Sequence, residues 1–320
     1  MNSLLKLFIP LILAISACTK EISMDIPENE RKLVVNGVFN VGEPIRVTVS
    51  KSKSMLEQSN IESVDNAEIK LFENGVYVTN LDTMNQIWSF SYSYDINNYY
   101  VDTIFRNAYY SKNMVVAQDK TYSIEVSAPG IDKKATVEIK APTLVPILKI
   151  DTMTVKTDEW SQYLHFDVLV SDPPNEENFY ILSLKSTFTW SWTDEFEETH
   201  TEFYTNIEFI ETDDVILGNS NFDYEYGLIF NDRLFNGRSQ GIKFKKNYYS
   251  TGQHTTYQVV LQSITEEYFN YLVSSGLYSS GEGNPIAEPV SVKSNVNDGF
   301  GIVTIVNQWI DSSIVYVGLK

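Results

Sequence analysis

The chain has 320 residues, with 42 Asp or Glu against 24 Lys or Arg and a formal charge of −18. Such a balance excludes a protein that binds nucleic acid by neutralising phosphates, and it repels anionic lipid head groups. A single Cys excludes a disulfide-stapled domain, so stability must come from packing.

In chain order, residues 1–6 form a short, weakly basic start and residues 7–15 an apolar run broken once by Pro10. The run is shorter than the roughly 20 apolar residues that span a bilayer and has the form of a signal peptide. It leads to Ile15-Ser16-Ala17-Cys18. An aliphatic residue, two small residues and Cys resemble the lipobox of bacterial lipoproteins, in which small residues admit the peptidase and the thiol takes a diacylglycerol. We therefore expect residues 1–17 to be a signal peptide and Cys18 to carry palmitate-type acyl chains. At ~0.8 kcal/mol per buried methylene, two or more chains anchor stably where one does not. Processing would leave 303 residues with a charge of −19, because Lys6 is the one charge removed. That length suggests about two domains.

Residues 18–31 are polar, include Pro27 and read as a tether. From Lys32 onward the pattern has period two, the signature of strands. Ile45, Val47 and Val49 alternate with Arg46 and Thr48; Ala67, Ile69 and Leu71 share a face; so do Tyr122, Ile124 and Val126, and Ala135, Val137 and Ile139. Asn74-Gly75 predicts a tight hairpin, because both positions need positive φ. Pro129-Gly130 predicts a second turn. Residues 84–110, rich in Tyr and Asn, read as strands with long loops. Pro142 and Pro146 follow a clean strand and mark a boundary, since Pro cannot donate to a central ladder.

Beyond it, Leu164, Phe166, Val168 and Val170 alternate, Asp172-Pro173-Pro174-Asn175 forms a turn, and Tyr180, Leu182 and Leu184 alternate back. Phe188, Trp190 and Trp192 share a face of the next stretch; Phe203, Ile207 and Phe209 share a face on the return, with an acidic loop over 194–199. One helix is predicted near residues 264–275. Ser263 with Glu266 forms a capping box, Ile264, Tyr268, Tyr271 and Leu272 form an apolar stripe, and Gly276 stops it. The expected place for it is an open edge or end of a sandwich. No internal repeat or low-complexity block is present. The expected fold is thus mainly all-β: an N-terminal β-sandwich over 32–141 and a C-terminal β-rich domain over 147–320, both of immunoglobulin or fibronectin type, with one short amphipathic helix in the second.

Several stretches together resemble one family of Bacteroidota lipoproteins, known as domain of unknown function 4249. They are KLVVNGVFN, YSIEVSAPG, VSDPPNEENFYILSL, FNDRLFNGRSQGIKF and the long run from Leu261 to Val303. Departures such as Ile286, Phe300 and Val303 exchange one apolar residue for another. The resemblance implies a lipidated envelope protein associated with TonB-dependent outer-membrane transporters, and it implies no biochemical activity. Lys20-Glu21, Asp25 and Glu28 echo the charged tracts of surface lipoproteins in this group, which favours the surface over the periplasmic face. In the long run itself, Asn284-Pro285 and Glu288-Pro289 fix extended backbone, while Gly299 and Gly301 allow close backbone approach.

No catalytic constellation is visible. His165, His200 and His254 lie apart and fit no metal-ligand spacing; His165 reads as a surface or edge residue. LYSSG at Leu277 lacks the first Gly of a nucleophile elbow, and no Gly-rich phosphate loop occurs. No cofactor or metal is expected. Glu211, Asp213 and Asp214, with Asp223 and Glu225, could offer oxygens to Ca²⁺, but they lack an EF-hand spacing and read as solvated acidic loops. The stripe Phe188, Trp190, Trp192 reads first as core, given the area each ring buries. If exposed, it becomes the best contact site for a ligand or partner. The leading expectation is a non-catalytic accessory protein that helps a TonB-dependent transporter capture or gate its substrate. A stand-alone surface glycan binder or adhesin is the alternative, and a cryptic hydrolase comes third.

Overall fold

The computed structural model describes residues 30–54, 61–95, 98–156, 161–194, 197–214, 217, 227–249, 255–281, 290–311 and 315–317. Cys18 and the expected signal peptide and tether lie outside the described residues up to position 29, as do His254, Asp223, Glu225 and Ile286. The chain is mainly β. Its first half forms β1 (Leu33–Asn40), β2 (Pro44–Lys51), β3 (Glu68–Glu73), β4 (Val76–Asn80), β5 (Asp82–Asp95), β6 (Asn98–Val115), β7 (Thr121–Ser127) and β8 (Ala135–Lys140). The second half forms β9 (Ile147–Lys156), β10 (Ser161–Ser171), β11 (Phe179–Thr193), β12 (Thr199–Glu208), β13 (Leu228–Asn231), β14 (Ser239–Tyr249), β15 (Thr255–Ile264), helix α1 (Glu266–Gly281), β16 (Val303–Ile310) and β17 (Val315–Val317).

Period-two alternation builds the strands where one face is buried. In β7, Tyr122, Ile124 and Val126 point into the core and their neighbours do not; β2, β3, β8 and β10 follow the same rule. Asn74 and Gly75 both adopt positive φ in the turn from β3 to β4, as the dipeptide predicts. Residues 84–110 differ from expectation. They form no long loops but belong to one hairpin of β5 with β6, paired from Asp82↔Tyr110 out to Asp95↔Asn98. The Ser-aromatic alternation of SFSYSY is itself a strand pattern.

Two sandwiches are present, but they share a sheet. A ten-stranded sheet runs in the order β12-β11-β15-β16-β1-β2-β6-β5, with β13 added to β11 and β17 to β15. Over its N-terminal half lies the sheet β4-β3-β7-β8, and over its C-terminal half the sheet β14-β10-β9. The first core draws on Leu33, Ile45, Ile69, Tyr122 and Val137, and also on Val296, Val303 and Ile305 from the far end of the chain. The second spans Val145 to Leu261. Along the chain the first core reaches Ala141 and the second begins at Val145, on either side of Pro142, while the shared sheet passes from one core to the other.

The joint is a parallel pair, β1 with β16, in register from Gly37↔Val303 to Asn40↔Val306. Immunoglobulin and fibronectin sandwiches are built from antiparallel sheets, so this sheet departs from that type. Alternation reports which residues are buried, not which distant strand lies alongside.

Helix α1 also departs from expectation. Its N-cap is Thr265, whose Oγ1 accepts the Tyr268 N–H at 3.3 Å, while Ser263 and Ile264 still belong to β15. The helix runs through Gly276, which is buried within it, to Gly281. It packs on a face of the large sheet rather than across an edge or end: Tyr268 and Leu272 meet Phe179, Ile181, Ile229, Ile302 and Val306. This explains the unbroken apolar run at the start of β11, which is buried on both faces.

Candidate functional site

Beyond Leu184 the environment of β11 changes. Its residues Phe179–Phe188 pair with β15 and Leu184–Thr193 pair with β12. Thr189 to Thr193 thus have only β12 beside them among the described residues, and the hairpin extends from the sheet as a two-stranded arm. All ten β11–β12 pairs, Leu184↔Glu208 to Thr193↔Thr199, are in one unbroken register.

This register decides which side chains share a face. Phe188, Trp190 and Trp192 stand opposite Tyr204, Glu202 and His200. Phe188 stacks on Tyr204 at 5.2 Å and 14°, and Trp192 on His200 at 5.4 Å and 23°. Tyr204 donates its hydroxyl proton to Glu202, and that bond pushes the phenol's pKa up. The other face carries a hydroxyl ladder, Thr187–Thr205 at 3.3 Å, Ser191–Thr201 at 3.1 Å and Thr193–Thr199 at 3.4 Å, with Phe203 and Ile207 among it.

The stripe is not core. Trp190 is 48% exposed, Trp192 39% and Phe203 72%, and Tyr204, Ile207 and Phe209 are exposed as well; Phe188 is half-buried. The physical reason is topological: the core beneath the β14-β10-β9 sheet takes β11 side chains only as far as Leu184, and β15 accompanies β11 only to Phe188, so area alone could not bring the outer rings inside. A patch of this kind is a candidate contact surface.

At the tip, Asp194 accepts the Glu198 N–H at 2.9 Å and lies 2.8 Å from His200 Nε2. The ligand atoms of Asp194, Glu198 and His200 fall within 4.8 Å of one another. The D-x-x-x-E-x-H spacing became a cluster only through the hairpin turn. It is exposed, and Asp194 is engaged in closing that turn, so the cluster reads as turn chemistry.

The expected acidic loop is occupied. Lys245 lies 3.8 Å from Glu211 and 3.1 Å from Asp213, and the Asp213 contact holds its ammonium above the usual Lys range. These groups border an open cleft of about 610 Å³ on the outer face of the β14-β10-β9 sheet, beside His165, Asp167 and Lys243. His165 is half-buried, and it lies on the central strand of its sheet rather than at an edge.

One cluster was invisible in the sequence. Asp172, Tyr180 and Asp232 are all buried. They come from VSDPPNEENFYILSL and FNDRLFNGRSQGIKF, two of the stretches that carried the resemblance. Asp172 accepts the Tyr180 hydroxyl proton and the Gly237 N–H; Asp232 Oδ2 accepts the Asn178 backbone and side-chain N–H groups. Asp232 Oδ1 is buried with no hydrogen-bond partner among the described residues. Burial raises the Asp172 pKa, with the neighbouring Asp232 adding to it; burial and the Asp172 bond raise that of Tyr180. Both acids are enclosed within the protein, and the cluster holds backbone. It fastens the loop after β10 to the loop after β13.

The family described as Domain of unknown function (DUF4249) has a model that matches residues 19–309 of this chain. Comparison with curated proteins gives no match.

Proposed function

The chain belongs to the DUF4249 family, and from that premise we propose that it is a lipid-anchored, non-catalytic accessory protein of the outer membrane. In this reading Cys18 holds the chain on the membrane, residues 18–31 give it reach, and the β11–β12 arm docks on a TonB-dependent transporter to help it capture or gate a substrate. The observation that carries the reading is the arm: an extended ribbon with Trp190 and Trp192 exposed on one face and Phe203 on the other. Aromatic anchors of this kind dominate the energetics of protein interfaces. The described residues contain no helix long and apolar enough to cross a membrane, so attachment would fall to the acyl chains.

The test is extraction of tagged full-length protein from native membranes in mild detergent, followed by mass spectrometry. We expect Cys18 to be acylated and a transporter to be recovered in comparable amount, with the transporter lost in the double variant Trp190→Ala/Trp192→Ala. Recovery of the protein alone would overturn the accessory role. The flat, exposed indoles favour one second reading, stacking on sugar rings in a stand-alone glycan binder. Polysaccharide affinity that disappears on Trp192→Ala would support it.

A further inference from the structure

Strand β12 ends the ten-stranded sheet. Its inner edge pairs with β11, and no strand among the described residues pairs with its outer edge. Proteins normally protect such an edge with a bulge, a Pro, charged side chains or a very short strand. β12 has no bulge and no Pro, is ten residues long with a register free of shifts, and its formal charges, Glu202 and Glu208, are both acidic and so leave the edge open to a basic strand. Both of its faces are exposed over most of that length.

The charge is one-sided. Between Lys185 and Arg233 the sequence contains twelve Asp or Glu and no Lys or Arg. Within the arm, residues 186–208, six acids stand with no basic residue but His200. A second copy of this chain is a poor fit for the edge, because it would set two such arms side by side.

We propose that the outer edge of β12 is a β-augmentation site for an extended strand bearing Arg or Lys, supplied by the arm's partner. This deepens the docking role proposed above and rests on it. Main-chain bonds to the β12 edge supply affinity, and alternate side chains supply selectivity. On the Trp-bearing face the incoming strand lies beside Glu202 and Tyr204, which share that face. Arg suits the position better than Lys, since a guanidinium can pair with the carboxylate and stack on the phenol ring.

The test uses full-length acylated protein in detergent micelles and three fluorescent peptides as long as β12. One alternates Arg with Thr and Val, one carries Glu in place of Arg, and one is the Arg peptide N-methylated at alternate amides. We expect the Arg peptide to bind, the Glu peptide to bind at least about tenfold more weakly, and N-methylation to cost at least about tenfold. Glu202→Lys, an exposed change, is expected to weaken the Arg peptide about tenfold while leaving the unfolding midpoint unchanged. No binding of the Arg peptide at about 1 mM, or binding indifferent to N-methylation, overturns the inference. Transporter recovery together with such indifference would overturn the edge and leave the accessory role standing; peptide binding as expected with no transporter recovered would do the reverse.

Discussion

Gly301 sits where the two halves of the chain are joined. Its φ is +108°, and a Cβ there would lie 2.1 Å from the Val35 carbonyl oxygen. That closeness lets Val35 donate to Phe300 O at 2.8 Å and Gly37 to Ile302 O at 2.9 Å. Gly301→Ala is expected to cost at least about 2 kcal/mol, by strain and by displaced backbone, measurable in urea unfolding. The buried acids make a second prediction at this scale. Because Asp172 has a raised pKa in the folded state, folding binds a proton that the unfolded chain releases earlier. The stability linked to this group is therefore present at acid pH and is lost as pH rises from the ordinary carboxylate range through the raised value. Asp232→Asn removes the neighbouring carboxylate that adds to the Asp172 shift. The variant should match or trail the natural chain near about pH 4 and exceed it by roughly 1 kcal/mol near about pH 8. An unchanged difference between the two pH values would refute the influence of Asp232 on Asp172.

At the scale of elements, α1 and the arm show opposite ways of handling apolar residues. The helix buries Tyr268 and Leu272 against the large sheet, and its start depends on Thr265. Thr265→Ala should lower stability by about 1 kcal/mol, the usual worth of an N-cap, while Ser263→Ala should leave helix initiation intact. The arm leaves its large rings in solvent. Trp190→Ala and Trp192→Ala should therefore shift stability by no more than about 0.5 kcal/mol each, far below the roughly 3–5 kcal/mol of a buried aromatic. A near-constant unfolding midpoint with loss of partner recovery would separate a contact role from a packing role.

For the whole molecule, the shared sheet makes the two sandwiches interdependent. Val296, Val303 and Ile305 complete the N-terminal core, and Thr136 and Asn297 exchange backbone hydrogen bonds of 3.1 and 2.8 Å. A fragment of residues 30–141 would expose one edge of β1 and lack those three side chains. It should fail to fold alone, giving no cooperative transition by circular dichroism, whereas a fragment that unfolds cooperatively would show the first sandwich to be independent. The full chain should unfold through coincident transitions when probes in the two halves are compared.

Much of this architecture was readable from local pattern. Alternation located β2, β3, β7, β8 and β10 and their buried faces, and Asn74-Gly75 its hairpin; these depend on a few neighbouring residues and on the two-residue period of a strand. The sequence by itself also determined the net acidity, the one-sided charge of residues 186–232 and the family. Only the tertiary structure decided that β16 lies parallel to β1, that α1 covers a face, that Asp172 meets Asp232, and that Trp190 and Trp192 stay in solvent. Each of these depends on which distant segment arrives alongside, and a period-two pattern is the same whether a strand's apolar face meets a second sheet or water.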